Sequence, residues 1–258
     1  MSEPVPTPDA APRLEAISTS WATLFAAHAD GPEASAARGR VALRYRDAVR
    51  RYLEALLGDP GEADEVTQEL MLRILRGGFA GADPQRGRFR DLLKTAVRRM
   101  AVDHLRRRGR TATLGDADGL PGSAPADRAW IADCRRVLVD AALGELESLA
   151  HRRPGNVYHA VLMVRADHPD ADSQALAARL SERVGRAFTV DQFRQQLHRA
   201  REAFAEILVR HVAFGLPEPT PERLTEELGE LGLAVLVRDF LPTLRVPLPP
   251  RRGGPADE

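Results

Sequence analysis

Residues 189–210 read TVDQFRQQLHRAREAFAEILVR. The run opens on Thr189-Val190-Asp191-Gln192, where a threonine hydroxyl and a glutamine three residues on can satisfy the first unpaired amides of a helix reciprocally. Phe193, Leu197, Ala200, Phe204 and Ile207 follow at i, i+4, i+7, i+11 and i+14, a spacing that lays one apolar stripe along a helix. Gln192, Arg194, Gln195, His198 and Arg199 point away from that stripe. Arginine and glutamine can each bond a purine edge through two hydrogen bonds. A helix entering the major groove presents its N-terminal residues to the bases. A shorter helical segment, 173–180, precedes this one across 181–188. The pair has the order of a helix-turn-helix. It also has the order of two antiparallel helices in a bundle, and the length of 181–188 leans toward the bundle.

The same spacing extends through the rest of the chain. Val41, Tyr45, Val49, Tyr52 and Leu56 predict a helix over 33–57, ended by Gly58. Asp59-Pro60-Gly61-Glu62 reads as an N-cap, a first-turn proline and a returning glutamate. The next helix, 60–76, buries Val66, Leu70 and Ile74, and Gly77-Gly78 and Gly81-Ala82-Asp83-Pro84 break it. A third, 89–108, buries Phe89, Leu93, Ala96, Met100 and Leu105 and carries Arg90, Lys94 and Arg98 on its outer face at i, i+4, i+8. A Gly/Pro/Asp-rich interval at 109–127 reads as a flexible linker. Beyond it lie an apolar stripe through Trp130, Cys134, Leu138 and Leu149, a second over 157–164, and one more candidate helix at 221–233. The fold class is all-α, with two small helical domains at 18–108 and 128–213. Residues 1–17 read as disordered and 214–258 as a C-terminal extension.

The chain has 258 residues, 43% hydrophobic and 29% charged, which is the composition of a globular protein. Cys134 stands alone, so no internal disulfide framework and no cysteine-rich zinc site is available. No apolar run approaches the roughly 18 residues of a membrane span. The N-terminus lacks the basic and apolar regions of a secretory signal, so a soluble, cytoplasmic protein without a membrane partner is expected.

Lys plus Arg equals Asp plus Glu at 37 each, but the balance is only global. Residues 86–110 hold ten basic residues against Asp91 and Asp103, and 173–213 hold seven arginines against four acids. Partners sense local fields, because the Debye length is about 8 Å at physiological salt. Stacked guanidiniums on one helix face can track a phosphate backbone; a solvated charged face is the alternative. Asp64, Glu65, Gln68 and Glu69 form an acidic face opposite Val66 and Leu70. It is either simply solvated or a dock for a basic partner. Asp167-His168-Pro169-Asp170-Ala171-Asp172 reads as a loop and helix cap rather than a metal site. The glycines at 77–81 lack the Gly-Lys-Ser/Thr of a phosphate loop. No nucleophile-and-base motif is present, and neither catalysis nor a cofactor is expected.

Four motifs, in order, resemble bacterial sigma factors of the extracytoplasmic-function group, in the planctomycete-type branch. Glu62-Ala63-Asp64-Glu65-Val66-Thr67-Gln68-Glu69-Leu70 resembles the group's Asp-x-x-Gln-Glu helix. Asp83-Pro84-Gln85-Arg86-Gly87-Arg88-Phe89-Arg90 resembles the branch's Asp-Pro-x-Arg-Gly-Arg-Phe-Arg signature, and Asp103-His104-Leu105-Arg106-Arg107-Arg108 its Asp-x-x-Arg-Arg end. Leu197-His198-Arg199-Ala200-Arg201 resembles the Leu-His-Arg-Ala-Arg of its recognition helix, and Trp21 fits the entry. Leu92 stands where many members have Trp, Arg99 where many have Asn, and 181–188 is enlarged.

The resemblance implies a sigma region 2-like domain and a helix-turn-helix region 4-like domain. It implies core RNA polymerase and promoter DNA as partners, and admits an anti-sigma factor. Asp64, Glu65, Gln68 and Glu69 would bind polymerase. Arg88, Arg90, Lys94, Arg98, Arg99, Arg106, Arg107 and Arg108 would hold the minus-ten element. Gln192, Arg194, Gln195, His198, Arg199 and Arg201 would read the minus-thirty-five element. Two other readings compete: a free-standing helix-turn-helix regulator, for which 221–233 could supply a dimer interface, and a helical interaction scaffold.

Overall fold

A computed structural model describes residues 32–78, 87–109, 123–216 and 219–241; the described chain is all-α, without a strand. In order, the helices are α1 (Pro32–Leu57), α2 (Pro60–Leu75), α3 (Phe89–Arg107), α4 (Ser123–Arg152), α5 (Tyr158–Asp167), α6 (Ser173–Val184), α7 (Val190–Phe214), α8 (Pro221–Glu230) and α9 (Ala234–Val237). Residues 1–17, Trp21, the 83–86 part of the arginine signature, most of the expected linker (110–122) and the tail past 241 lie outside the described residues.

The expected corners form by the expected chemistry. Gly58 takes φ 72° after α1, a conformation that glycine adopts without a Cβ penalty. Asp59 Oδ1 then accepts the Glu62 amide at 2.8 Å. The Thr189–Gln192 capping box closes in both directions, at 3.2 and 3.0 Å. α6 runs on to Val184 before Gly185 turns at φ 68°. The connection to α7 is therefore only 185–189, shorter than the spacing suggested. Ser181 Oγ braces it, donating to Ala177 O at 2.7 Å and accepting the Phe188 amide at 2.9 Å.

Among the described residues apolar packing falls into two clusters. The larger joins Tyr45, Val49, Tyr52 and Leu53 of α1 to Val66, Leu70 and Ile74 of α2 and to Phe89, Leu93 and Val97 of α3. It continues through Trp130, Leu138 and Leu146 of α4, Leu208 and Val212 of α7, and Leu224, Leu228, Leu231, Leu233 and Val237 of the C-terminal segment. The Tyr52 and Trp130 rings lie 5.3 Å apart, as do Tyr45 and Phe89, the latter edge-on. The smaller cluster is Val161 and Val164 of α5, Leu176, Ala177 and Leu180 of α6, and Phe193 and Ala200 of α7. α7, with 25 residues and hence roughly 37 Å long, serves both.

Three further local details differ from the sequence reading. Ser123–Asp127, placed in the linker, form the first turns of α4; Pro125 is accommodated there because first-turn amides have no intrahelical acceptor to lose. Val97 is fully buried where Ala96 was expected, and Ala96 is half-buried. Arg90, expected on an outer face, is only 8% exposed, because the chain's own α8 covers it.

Candidate nucleic-acid interface

The N-terminal half of α3 meets α8. Leu224, Leu228 and Leu231 insert into the large core, which turns Glu227 inward and leaves it 5% exposed. Arg90 Nε donates to Glu227 Oε1 at 2.7 Å and Nη2 to Oε2 at 3.1 Å, with a further contact to Glu230. Arg88 Nη1 lies 2.9 Å from Glu227 Oε2 and also touches Glu230, while Nη2 is 3.4 Å from Glu226. Burial alone would lower the Arg90 pKa; Glu227 outweighs it and holds the guanidinium above its ordinary value. The Arg88 hydrogen bond holds Glu230 below the usual carboxylate range. The Phe89 amide donates to Gly215 O at 3.1 Å, fixing the start of α3 to the end of α7.

One turn on, Lys94 and Arg98 share Asp127. Lys94 Nζ stands 2.9 Å from Asp127 Oδ2, and Arg98 Nη2 donates to both carboxylate oxygens at 3.0 and 3.1 Å. Arg98 Nε donates to Tyr52 Oη at 2.7 Å, and that hydroxyl donates to Asp127 Oδ1 at 2.7 Å. Burial pushes the Asp127 carboxyl up; Tyr52, Lys94 and Arg98 outweigh it and bring it below its ordinary value. Asp127 belongs to the interval that reads as linker, and nothing in its local spacing marks it as the acceptor.

The C-terminal end of α3 is different. Arg99 is exposed and has no ion pair among the described residues. Arg106 lies 3.8 Å from Asp103 on its own helix. Arg107 reaches Glu69 at 3.1 Å, and Arg108 reaches Glu65 at 3.2 Å and Glu62 at 3.9 Å. Asp64 is taken by Arg50 at 2.9 Å. The acidic face of α2 and the basic end of α3 are therefore neighbours. Such half-exposed pairs contribute about 0–1 kcal/mol each, so another charged partner can displace them.

Gln68 also lines an apolar groove of about 500 Å³ between α1 and α2, with Leu43, Met71, Leu72 and Leu75. Leu43, Leu72 and Leu75 are 78%, 50% and 42% exposed. The sequence reading passes over these residues because they lie off the buried stripes; large leucines off a stripe are the available signal.

On α7, Gln192, Arg194, Gln195, His198, Arg199 and Arg201 are all exposed. Gln192 is engaged in the capping box. Arg194 lies 3.7 Å from Asp191 and donates to Ser173 Oγ at 3.4 Å. Arg199 and Arg201 have no ion pair among the described residues. The His198 ring lies 5.6 Å from that of Phe240. Segment 221–233, considered as a dimer surface, buries Leu224, Leu228, Leu231 and Leu233 within its own chain instead.

Among the described residues no group of His, Cys, Asp and Glu is arranged to hold a metal ion, and no helix is long and apolar enough to cross a membrane. Burial pushes the Cys134 thiol up to about 12, which leaves it an unreactive core residue. No curated protein and no solved structure matches the chain. The family model for sigma-70 region 2 matches residues 41–111, which take in α1 from Val41, α2 and α3. The chain therefore contains a sigma-70 region 2 domain, and this supports a sigma-factor role in promoter recognition.

Proposed function

We propose that this chain is an alternative sigma factor of the extracytoplasmic-function group, in the planctomycete-type branch, working in the cytoplasm with core RNA polymerase. The observation that carries the reading is the region 2 match over three helices whose acidic and basic faces adjoin. Asp64, Glu65, Gln68 and Glu69 dock on polymerase beside the apolar groove. Docking draws Glu65 and Glu69 from Arg108 and Arg107, and promoter phosphates take the released guanidiniums. Both exchanges replace exposed pairs and so cost little.

Arg99 and Arg106–Arg108 then hold the minus-ten element and its displaced strand. Arg88, Arg90, Lys94 and Arg98 join that surface only to the extent that Glu226, Glu230 and Asp127 release them; Arg90, clamped by Glu227, positions the helix. The small cluster of α5, α6 and the first half of α7 supports a region 4-like helix-turn-helix. Arg194, Gln195, His198, Arg199 and Arg201 read the minus-thirty-five element, and Gln192 caps the reading helix. Neither half needs high affinity alone, because polymerase links them and raises the effective concentration of each. Strand opening costs a few kcal/mol per unstacked step, and capture of the exposed strand offsets it.

Run-off transcription with core polymerase tests the proposal. Addition of the chain is expected to yield discrete, promoter-dependent transcripts. DNA binding without any polymerase-dependent transcript would support a free-standing regulator instead.

A further inference from the structure

We infer that segment 219–241 is a built-in cover that withholds the Arg88 end of α3 from DNA in the free chain and rests on the reading helix at His198. This rests on the sigma-factor reading above. Two interactions far apart in sequence meet in this one segment. Glu226, Glu227 and Glu230 surround Arg88 at the start of α3. Phe240 lies on His198 of the reading helix. The segment is anchored between them by Leu224, Leu228, Leu231, Leu233 and Val237, and Thr220 Oγ1 caps α8 by accepting the Arg223 amide at 3.4 Å.

The outer carboxylates have an interaction beyond stability to explain. Glu226 and Glu230 keep 61% and 43% of their side chains exposed, so water reaches both carboxylates and screens their pairing with Arg88. Glu227 holds the buried Arg90 through both carboxylate oxygens, and Glu230 reaches the same guanidinium. What the outer pair does is place carboxylate oxygens on the Arg88 guanidinium, where phosphate oxygens would bind. Binding of DNA then requires the cover to yield, and the apparent dissociation constant rises by the inverse of the fraction that is open.

The test uses the full chain, without polymerase, on a promoter duplex followed by fluorescence anisotropy across a salt series. Glu226→Gln with Glu230→Gln is expected to tighten binding at least about fivefold, the lower bound of ordinary coupling between sites. The log–log salt slope should steepen by about 0.9 for each further phosphate that the uncovered arginines neutralise. Phe240→Ala should tighten binding separately. Asp140→Asn with Glu147→Gln, an equal charge change on α4 outside the cover, should not reproduce the tightening. Retained far-ultraviolet circular dichroism and melting temperature show that each variant folds.

Wild-type affinity in both cover variants, or equal tightening in the charge-matched control, overturns the cover. Run-off transcription by the wild-type chain in the same preparation then leaves the sigma-factor reading standing. Absence of run-off product from the wild type and the cover variants alike overturns the sigma-factor reading, and the cover with it.

Discussion

α3 and the first half of α7 carry the same side chains in opposite settings. At the N-cap and along the first half of α3, Arg88, Arg90, Lys94 and Arg98 face carboxylates from α8 and α4. On α7, Arg199 and Arg201 stand exposed with no ion pair among the described residues, and Arg194 is only loosely held. A count of charges along the chain treats these helices alike. What separates them is what packs against them: α3 lies under the C-terminal segment and the start of α4, whereas α7 leaves the large core at its N-terminal half. The difference assigns stability to one set of arginines and availability to the other.

The largest effect should come from the most enclosed pair. Arg90→Ala leaves Glu227 buried without its partner, a loss of about 3–5 kcal/mol, read by urea denaturation. Arg90→Met combined with Glu227→Leu should recover most of that loss, because removing both charges removes the uncompensated one. Arg199→Ala should stay within about 0.5 kcal/mol of wild type. Equal losses at Arg90 and Arg199 would erase the distinction between the helices.

The α2 face gives an intermediate effect. Asp64→Ala with Gln68→Ala should weaken binding to core polymerase by about 1–2 kcal/mol, roughly tenfold. Promoter-duplex binding by the free chain should be unaffected. Wild-type polymerase affinity would remove this face from the docking surface.

A smaller effect separates the two halves of α7 by pH. His211 lies in the buried half, its Nε2 3.3 Å from Glu145 Oε2, with Arg210 also on Glu145. Burial pushes the imidazole below its ordinary value despite the opposing pull of Glu145, with Arg44 and Arg210 adding in the same direction as burial. The folded chain thus binds this proton less readily than the unfolded chain. The contribution is complete above about pH 6.5 and declines as pH falls below it. Burial pushes Glu145 up, but His211 and Arg210 outweigh it and hold it below the carboxylate range. Its own contribution is therefore lost only at lower pH, as the carboxylate titrates. Urea midpoints should fall as the pH drops below about 6.5, and His211→Gln should flatten that slope.

Local chemistry made the helices legible. The Asp59 cap, the Thr189–Gln192 box and the stripe from Phe193 to Ile207 depend on neighbours within a few turns, and they are found where the spacing puts them. The candidate site was harder to read, because interactions between distant segments decide it. Arg90 has the spacing of an outer-face residue, and only the docking of α8 from more than a hundred residues away encloses it. Asp127 sits in a stretch whose glycines and prolines signal a linker, yet it organises Lys94, Arg98 and Tyr52. α7 shows one uninterrupted stripe, although its two halves serve different clusters. The exposed leucines of the α1–α2 groove fall outside any reading that looks only for buried stripes.

The central claim is that the arginines left displaceable at the end of α3 deliver promoter DNA to a polymerase bound through α2. The most direct measurement replaces Arg106, Arg107 and Arg108 together with alanine and reads run-off transcription and core-polymerase binding on the same preparation. The account predicts that initiation is lost while polymerase binding is kept. Undiminished initiation by the triple variant would contradict it.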